Sequence, residues 1–433
     1  MIQANKRQQI KAWTFYDWAN SAYSLIITSA IFPAYYTQIV DKVEIFGHLF
    51  QKSVVASFSI SFSFLLIAFL SPILSSIADY QGNKKGFMKF FCYLGAFSCM
   101  GMFFFVKNAD GANVFYGLAC SMLASIGYCG SIVFYNAFLP EIADKNEQDT
   151  VSAKGFAMGY IGSVILMIVC LALMFLNASY AWFETDLHIP ERVSFLLVGV
   201  WWIGFAQIPF RVLKEEARHR NDYDGHILMK GFQELKKVWH ELKSLPVLRL
   251  YLAAFFFFNM GVQTVMYMAT YFAGDELKME PVQLLLVVLI IQLVAIAGAR
   301  LFAKISDQKG NLFSLSLLVI IWIGICISAY VVNSVNQFYV LAFAVGMVMG
   351  GIQSLSRSTY SKFLPDTPDT ASYFSFYDVC EKLGIVIGTA SFGLIADGLG
   401  SMRLSALALS VYFAIGLLIL FLMRKRHTQV LHH

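Results

Sequence analysis

The heptapeptide Ile-Ala-Asp-Tyr-Gln-Gly-Asn at residues 77–83 follows a long apolar run, and its pattern returns later in the chain. Residues 305–311 read Ile-Ser-Asp-Gln-Lys-Gly-Asn, so Ile-x-Asp-x-x-Gly-Asn repeats after 228 residues. A second pair, Tyr-Asn-Ala-Phe-Leu-Pro at 135–140 and Tyr-Ser-Lys-Phe-Leu-Pro at 360–365, repeats after 225 residues. Two repeats of nearly one period indicate that the chain consists of two related halves.

The composition around these repeats is that of a membrane protein. Of the 433 residues, 58% are apolar and 14% charged, and the mean hydropathy is +0.64, which leaves too little polar surface for a soluble globule. Apolar runs of about 20 residues recur, and as helices each can cross a hydrocarbon layer of ~30 Å. The sequence therefore predicts an all-α membrane protein with twelve transmembrane helices, near residues 12–37, 53–78, 86–106, 113–138, 155–177, 192–213, 247–272, 281–303, 312–332, 337–360, 372–396 and 402–423.

The basic residues orient these spans. With the N-terminus inside, 26 of the 32 Lys and Arg residues fall on the cytoplasmic side, as the positive-inside rule requires. Both termini are therefore expected in the cytoplasm, and a cell membrane is the expected location. The net charge of +5 follows from this topology. It does not indicate nucleic-acid binding, because no basic surface with interleaved aromatic residues is present in the sequence.

The longest hydrophilic segment lies between the two halves. It divides the chain into an N-terminal six-helix bundle (1–213), a cytoplasmic connector (214–246), and a C-terminal six-helix bundle with a basic tail (247–433). Within the connector, apolar residues recur at helical spacing and lysines occupy the other face, which predicts an amphipathic helix at the cytoplasmic membrane surface. The apolar residues are Phe232, Leu235, Val238, Trp239 and Leu242.

Five segments carry a family resemblance. The Asp-x-x-Gly loop at 79–82 and its repeat at 307–310 resemble the signature loop of the major facilitator superfamily. Three further segments are similar to those of its "unknown major facilitator" subfamily, which is related to fungal vacuolar amino-acid effluxers of autophagy. They are Trp-Thr-Phe-Tyr-Asp-Trp-Ala-Asn-Ser at 13–21, Gly-Gly-Ile-Gln-Ser-Leu-Ser-Arg-Ser at 350–358, and Phe-Ser-Phe-Tyr-Asp at 374–378.

The resemblance covers essentially the whole chain and implies two pseudo-symmetric six-helix bundles that work by alternating access. It implies a secondary carrier that exports amino acids or similar small zwitterions, with proton coupling as one option. No cofactor, metal or nucleic acid is expected, and no feature predicts an oligomer, so the expected state is a monomer in a lipid bilayer with a small-molecule substrate.

The two repeated loops are the candidate cytoplasmic gate. Gly82 and Gly310 can turn the chain at positive φ. Asp79 can then meet the positive N-terminal end of a helix from the other half, with Asp307 as its counterpart in the repeat. An ordinary solvated loop aspartate is the alternative interpretation.

Polar residues at helical spacing within otherwise apolar spans predict the lining of a cavity, because lipid offers such side chains no partner. In this superfamily spans 1, 4, 7 and 10 line the cavity, and the stripes fall on these spans. The candidate substrate or coupling residues are Asp17, Asn20, Ser21, Ser24, Tyr128, Tyr135, Asn259, Gln263, Tyr267, Gln353 and Arg357, with Thr28, Ser131, Thr270 and Tyr360 at the same spacing.

Asp17 is a carboxylate inside an apolar run, and three interpretations remain open. It is a proton-coupling acid, a ligand for a substrate amine, or a structural carboxylate bonded to hydroxyl or basic groups. Arg357 has two interpretations, as the ligand of a substrate carboxylate or as the partner of Asp307 in the gate.

Span 11 begins with a further pair of charged residues. Asp378 and Lys382 are one helical turn apart and can form an ion pair. That pair acts either in gating or as an ion pair at the inner membrane face.

Enzymatic function finds no support in the sequence. It contains neither a phosphate-binding Gly-x-x-x-x-Gly-Lys loop nor a His-Glu-x-x-His zinc motif. Two alternatives to amino-acid export remain: a carrier of another solute, such as a sugar, nucleoside or drug, and a non-transporting membrane sensor or scaffold of the same fold.

Overall fold

Helices coincide with all twelve predicted spans. The computed structural model describes residues 2–40, 42–45, 48–108, 111–180, 188–215 and 227–431. Residues 216–226 of the predicted connector lie outside the described residues. The helices are α1 (Ile2–Ala22), a π-helix (Tyr23–Ala30), α2 (Ile31–Ile39), α3 (Lys52–Gln81), α4 (Lys84–Gly101), a 3₁₀ turn (Met102–Phe104), α5 (Val114–Ala137), α6 (Leu139–Ile142), α7 (Gln148–Tyr180), α8 (Ile189–Val212), α9 (Ile227–Ser244), α10 (Pro246–Leu277), α11 (Pro281–Lys309), α12 (Asn311–Val331), α13 (Val335–Phe363), α14 (Thr370–Leu399) and α15 (Met402–Leu431).

Eleven helices in the described part of the chain are long and apolar enough to cross a membrane, by length and composition. The twelfth span is the first helical run, α1 to α2, which the π-helix interrupts. A π turn contains one more residue than an α turn. The three- and four-residue spacing that groups Ser24 and Thr28 with Asp17 therefore applies only up to Tyr23.

Two short hairpins follow the first and third spans. Strands β1 (Lys42–Ile45) and β2 (His48–Gln51) pair antiparallel, with Lys42 opposite Gln51. Strands β3 (Lys107–Asn108) and β4 (Gly111–Ala112) pair in the same way. Strands of two to four residues show too little alternation of polar and apolar residues to be predicted from sequence.

The contacts divide the chain into two compact units. The first contains residues 1–70, 83–135 and 158–216, and in it α8 packs against α1 and α4. The second contains residues 71–82, 136–157 and 217–433, and in it α13 packs against α11 and α12, while α10 packs against α14 and α15.

The second unit thus includes two short segments that precede the connector in sequence. These are the end of α3 with its loop (71–82) and the chain from the end of α5 into α7 (136–157). The contact-based units therefore differ from the predicted bundles 1–213 and 247–433. In these two segments, residues beyond 310 donate hydrogen bonds to Asp79, Asn136, Asp149 and Ser152.

Helices α11 and α13 approach closely because glycines face the partner backbone. A Cβ atom added at Gly298 or Gly350 would overlap the carbonyl oxygen of Met347 or Ala295, and one at Gly346 would lie 2.7 Å from that of Ile291. Small residues at such crossings allow van der Waals packing and backbone contact, which hold membrane helices together where lipid supplies no hydrophobic drive.

Gly350→Ala is expected to lower the free energy of unfolding by about 1–3 kcal/mol, because the methyl group must displace the α11 backbone. Thermal unfolding of the detergent-purified protein measures this effect. Gly324→Ala in α12 is the matched control, since a Cβ there meets no atom within 4 Å. Equal melting temperatures for the two variants would contradict this packing account.

Candidate functional site

The carboxylate of Asp79 caps the N-terminus of α14. Its Oδ2 accepts hydrogen bonds from the Ser372 backbone N–H and hydroxyl, both at 2.7 Å, and Oδ1 accepts one from the Ala371 N–H at 3.3 Å. The first-turn N–H groups of a helix have no acceptor within the helix and lie at the positive end of its dipole. Gly82 adopts a φ of +62°, and its N–H bonds the Asp79 carbonyl, so the turn brings the carboxylate to this position.

The repeated loop makes a different arrangement. Gly310 has a φ of +86°, but Asp307 is exposed at the end of α11. The buried acid near this loop is Asp149, in the first turn of α7. It accepts hydrogen bonds from Lys362 Nζ at 2.6 Å and Asn311 Nδ2 at 2.8 Å. Lys362 also donates to Asn311 Oδ1 at 2.9 Å, so three side chains from α7, α12 and α13 form one network.

Arg357 of α13 is buried and bonded to neutral groups. Its Nε donates to the Ser152 hydroxyl at 2.9 Å, its Nη2 to the Ser152 carbonyl at 3.0 Å, and its Nη1 to Asn136 Oδ1 at 3.3 Å. The guanidinium also lies 4.2 Å from the centre of the Phe156 ring, within cation–π range. The sequence suggests a substrate carboxylate or Asp307 as the partner of Arg357. It does not predict the contacts with Ser152, Asn136 and Phe156.

Asp17 lies in an aromatic cluster of the first unit. Its Oδ2 accepts a hydrogen bond of 2.6 Å from the hydroxyl of Tyr135, a fully buried residue of α5. The Tyr135 ring stacks on Trp13 with centroids 4.4 Å apart, and Trp13 Nε1 donates to the Tyr135 carbonyl at 2.9 Å. Asp17 therefore has the hydroxyl partner that the structural interpretation requires.

The other candidate residues of the first unit are buried or half-buried. Asn20, Ser21 and Ser24 follow Asp17 in the first span, and Tyr128 precedes Tyr135 in α5. Asn20 is buried, and its Oδ1 accepts a bond of 3.4 Å from Ser21. Ser24 is half-buried. Tyr128 is half-buried and its ring packs against Tyr23, with centroids 4.9 Å apart.

In the second unit the predicted stripe on α10 reaches α14. Gln263 Nε2 donates to Asn259 Oδ1 at 3.4 Å and to Glu381 Oε1 at 3.1 Å. Tyr267 and Gln353 are half-buried. The structure thus brings Asn259 and Gln263 together with a carboxylate that the sequence analysis did not single out.

The predicted ion pair in α14 is present and includes a third residue. Lys382 Nζ lies 3.2 Å from Asp378 Oδ1 and 3.2 Å from Glu381 Oε2. Asp378 is 3% exposed and Lys382 is 4% exposed. The first of these two contacts is an ion pair without hydrogen-bond geometry, and neither oxygen of Asp378 accepts a hydrogen bond from a described residue.

The connector helix α9 docks on the start of α14. Lys237 Nζ donates to Glu234 Oε1 at 2.8 Å and to Asp369 Oδ2 at 3.0 Å. Farther along, Glu241 Oε2 accepts a bond of 2.9 Å from the Tyr373 hydroxyl. The side chains of α9 thus bond the residue before α14 and its first turn, which is also where Asp79 binds.

The apolar face of α9 is divided between two environments. Val238 and Leu242 are buried, with α9 packed against α10 and α14, whereas Phe232 and Trp239 are 55% and 49% exposed. Trp239 also contacts the Phe376 ring, with centroids 5.7 Å apart. The predicted amphipathic helix is therefore found, and protein covers part of its apolar face.

Lys237→Ala is expected to weaken the docking of α9 on α14 by less than about 1 kcal/mol of free energy, because the Lys237 side chain is half exposed. Its hydrogen bonds to Glu234 and Asp369 raise the pKa of Lys237 above that of a free lysine. The contribution is therefore fully present at pH 7 and below the ordinary lysine pKa of ~10.4, and is lost as the pH rises through the raised pKa.

Hydrogen exchange of the α9 backbone amides at pH 7 measures this loosening. Exposed Lys236, which precedes Lys237, provides the control variant Lys236→Ala. If both variants exchange at the wild-type rate, the ion pair does not hold α9 in place.

Several of these residues had no sequence signal that could have identified them. Asn136 binds Arg357 through its side-chain amide and Ser152 through its hydroxyl. Asparagine and serine occur throughout the chain, so neither residue stands out. Asp149 did have a weak signal, since an acidic residue in the first turn of a helix is favoured by the helix dipole.

Comparison with known proteins gives consistent results. The model of the family described as "Vacuole effluxer Atg22 like" matches residues 5–430. The chain is 30% identical over 413 residues to a protein of Bacillus subtilis strain 168 described as an uncharacterized MFS-type transporter, YxiO, covering 95% of this chain and 94% of that one. It is 23% identical to autophagy-related protein 22 of Kluyveromyces lactis, covering 96% and 93% of the two chains.

Solved structures share the fold at low sequence identity. The fucose:proton symporter FucP of E. coli aligns with a TM-score of 0.70 at 14% identity, covering 96% of this chain and 98% of that one. The human organic anion transporter MFSD10 aligns with a TM-score of 0.68 at 12% identity, covering 96% and 99%.

Proposed function

Because this chain belongs to the Atg22-like vacuole effluxer family and is an MFS-type transporter, we propose that it exports amino acids or similar small zwitterions. A multi-pass MFS-type transporter moves a small-molecule substrate across a lipid bilayer. The family match over residues 5–430 supports export. The amino-acid part of the proposal is supported by the resemblance of segments 13–21, 350–358 and 374–378 to the subfamily related to fungal amino-acid effluxers.

The observation that carries the transport mechanism is the Asp79 contact at the N-terminus of α14. Buried Asp79 follows span 2, and the residues it binds, Ala371 and Ser372, begin span 11. These bonds join chain segments that lie almost 300 positions apart and can break without unfolding either helix. We propose that they close the cytoplasmic side in one state of the transport cycle and open in the other.

The Asp149 network and Arg357 belong to the same proposed gate. Asp149, in segment 136–157, bonds Asn311 of α12 and Lys362 of α13. Arg357 of α13 bonds Ser152 and Asn136 of the same segment. The proposed gate therefore consists of three separate polar contacts, all within the second unit. Exposed Asp307 has a smaller part in it than Asp79.

We further propose that the protein lies in the cell membrane with both termini in the cytoplasm, in accordance with the distribution of Lys and Arg. The six-helix bundles 1–213 and 247–433 are then the two moving halves. The candidate substrate residues are the polar side chains of spans 1, 4, 7 and 10. Of these, Asn259 and Gln263 have the clearest support, because their side chains contact each other and Gln263 bonds a carboxylate.

Ligand-dependent thermal unfolding tests the substrate class. A ligand at 100 times its dissociation constant stabilises the folded protein by ~2.7 kcal/mol, so the right class of solute raises the melting temperature. We expect amino acids to do so, and sugars and nucleosides to have no effect. Stabilisation by a sugar or nucleoside instead would reject the amino-acid proposal and leave the transporter fold intact.

Two glutamine variants make the test specific. Gln263→Ala is expected to reduce the amino-acid shift, because Gln263 lies on the proposed substrate stripe of α10. Gln308→Ala is the matched control, since Gln308 is exposed at the end of α11. Exchange of the stabilising amino acid into proteoliposomes then measures transport itself.

A further inference from the structure

Two carboxylates share one ammonium group inside span 11. Asp378 and Glu381 both lie 3.2 Å from Lys382 Nζ. At 1.5 Å per residue, these three residues lie about 12–18 Å along α14 from its first residue, within the membrane-spanning part of the helix. When all three groups are ionised, the cluster carries a net charge of −1.

That excess charge is unfavourable where it lies. Asp378 and Lys382 are almost completely buried, and 22% of the Glu381 side chain is exposed. A buried ion pair is tolerated when its charges balance, whereas an uncompensated buried charge is strongly destabilising. Binding one proton makes the cluster neutral without moving any helix.

The hydrogen bonds identify the carboxylate that takes the proton. Glu381 already has two hydrogen-bond donors, Lys382 at 3.2 Å and Gln263 at 3.1 Å. Both oxygens of Asp378 and the Ser71 hydroxyl are buried without a hydrogen bond of normal geometry among the described residues, although Lys382 and Ser71 both lie close enough to act on the carboxylate. The buried Nδ2 of Asn259, the residue bonded to Gln263, also has no acceptor among the described residues.

The groups around Asp378 come from several helices. Its own helix supplies Lys382, Glu381, Cys380 and Tyr377. The end of α3 supplies the neutral Ser71 hydroxyl, and α13 supplies Arg357, whose charge acts on Tyr377. On α10, the neutral amide of Gln263 donates hydrogen bonds to Glu381 and to the amide oxygen of Asn259.

We propose that Asp378 is the proton-binding group of this transporter and that its protonation leaves the Lys382–Glu381 ion pair in place. This inference rests on the proposed transport function. Asp378 lies six residues after Ser372, about 9 Å along the same helix. A change in its charge therefore acts on the helix whose first turn Asp79 caps. The site thereby links a proton, as the coupling ion, to the proposed cytoplasmic gate.

Infrared spectroscopy of the reconstituted full-length protein tests the protonation without any substrate. The ordinary pKa values of Asp and Glu side chains lie well below 6, so these groups are ionised at pH 6–8. A protonated carboxyl at pH 6–8 therefore gives a carbonyl band that belongs to a perturbed group. We expect such a band in the wild type, and we expect ¹³C at the aspartate side-chain carboxyl to shift it to lower wavenumber. Labelled glutamate is expected to leave it in place.

Variants then assign the band to a residue. It is expected to disappear in Asp378→Asn and to persist in Asp397→Asn, an exposed aspartate of the same helix. It is also expected to persist in Asp17→Asn, because Asp17 lies in the first unit, bonded to Tyr135, and is not part of the span 11 cluster. In Glu381→Gln the excess charge is absent, so the band should vanish or titrate at a lower pH.

The proposal would be overturned by absence of the band, by its shift with labelled glutamate, by its persistence in Asp378→Asn, or by its loss in Asp17→Asn or Asp397→Asn. The labelling experiment uses the wild type, so it tests for a protonated aspartate even if Asp378→Asn fails to fold. Glu381→Gln then tests whether the band belongs to this cluster. In proteoliposomes, the ratio of substrate uptake with and without an imposed pH gradient should fall to one in Asp378→Asn, whatever its absolute rate. If the wild type moves no amino acid, the proposed function fails, while the infrared band still decides whether Asp378 binds a proton.

Discussion

An Asp79→Asn variant is expected to exchange substrate at least tenfold more slowly than the wild type and to melt at a lower temperature. The amide keeps only one acceptor oxygen, so it cannot accept from both Ser372 and Ala371 as the carboxylate does, and it removes the negative charge at the positive end of α14. A hydrogen bond to a charged group contributes about 1.5–3 kcal/mol, and each 1.4 kcal/mol changes an equilibrium tenfold. Exchange in proteoliposomes and thermal unfolding in detergent measure the two effects.

The repeat provides the matched control for this experiment. Asp307 occupies the same place in the second loop, but it is exposed. Asp307→Asn should therefore keep a melting temperature close to that of the wild type and most of the exchange rate. Equal losses in the two variants would show that the loop aspartates act alike and that the Asp79 contact with α14 is not the reason for the effect.

Replacing Arg357 with lysine should be nearly as damaging, although the charge is kept. Lysine has no planar guanidinium to donate at once to the Ser152 hydroxyl, the Ser152 carbonyl and Asn136, and it loses the stacking on Phe156. With about 1.5–3 kcal/mol at stake for each such bond, we expect a lower melting temperature and at least tenfold slower exchange.

The control for this variant is Arg300→Lys, at an exposed position of α11. That change should leave stability and exchange within a factor of two of the wild type. A functional Arg357→Lys protein would show that only the positive charge matters at this position. The substrate-carboxylate interpretation of Arg357 would then regain support over its proposed role in the gate.

The sequence predicted the spans well because membrane burial imposes a simple requirement. A helix of about 20 apolar residues satisfies its own backbone hydrogen bonds in lipid, so hydropathy alone locates it. The predicted spans are accordingly confirmed as helices. The residues added at their ends, as in α7 from Gln148, are polar and fall below any hydropathy threshold although they are helical.

The polar contacts could be anticipated only where a motif indicated a position. Asp79 precedes a glycine at positive φ and was expected to meet a helix end, and it caps α14. Asp307 precedes a similar glycine but is exposed, so the motif indicates a candidate and does not determine its contact. Asp149 and Glu381 differ in this respect. Each depends on which side chain of a distant helix lies opposite, Lys362 for one and Gln263 for the other. Spacing along one helix cannot reveal that choice, which tertiary packing makes.

Residues 369–378, at the start of α14, make an unusual number of polar contacts with other parts of the chain. Asp369 bonds Lys237, Ser372 bonds Asp79, Tyr373 bonds Glu241, and Asp378 pairs with Lys382. Few side chains in this stretch can change without disturbing a partner from another part of the chain. In a library of random substitutions selected for growth, residues 369–378 should therefore accept fewer replacements than any stretch of equal length in the lipid-facing surface. Drift in this protein's descendants would accordingly be slowest there.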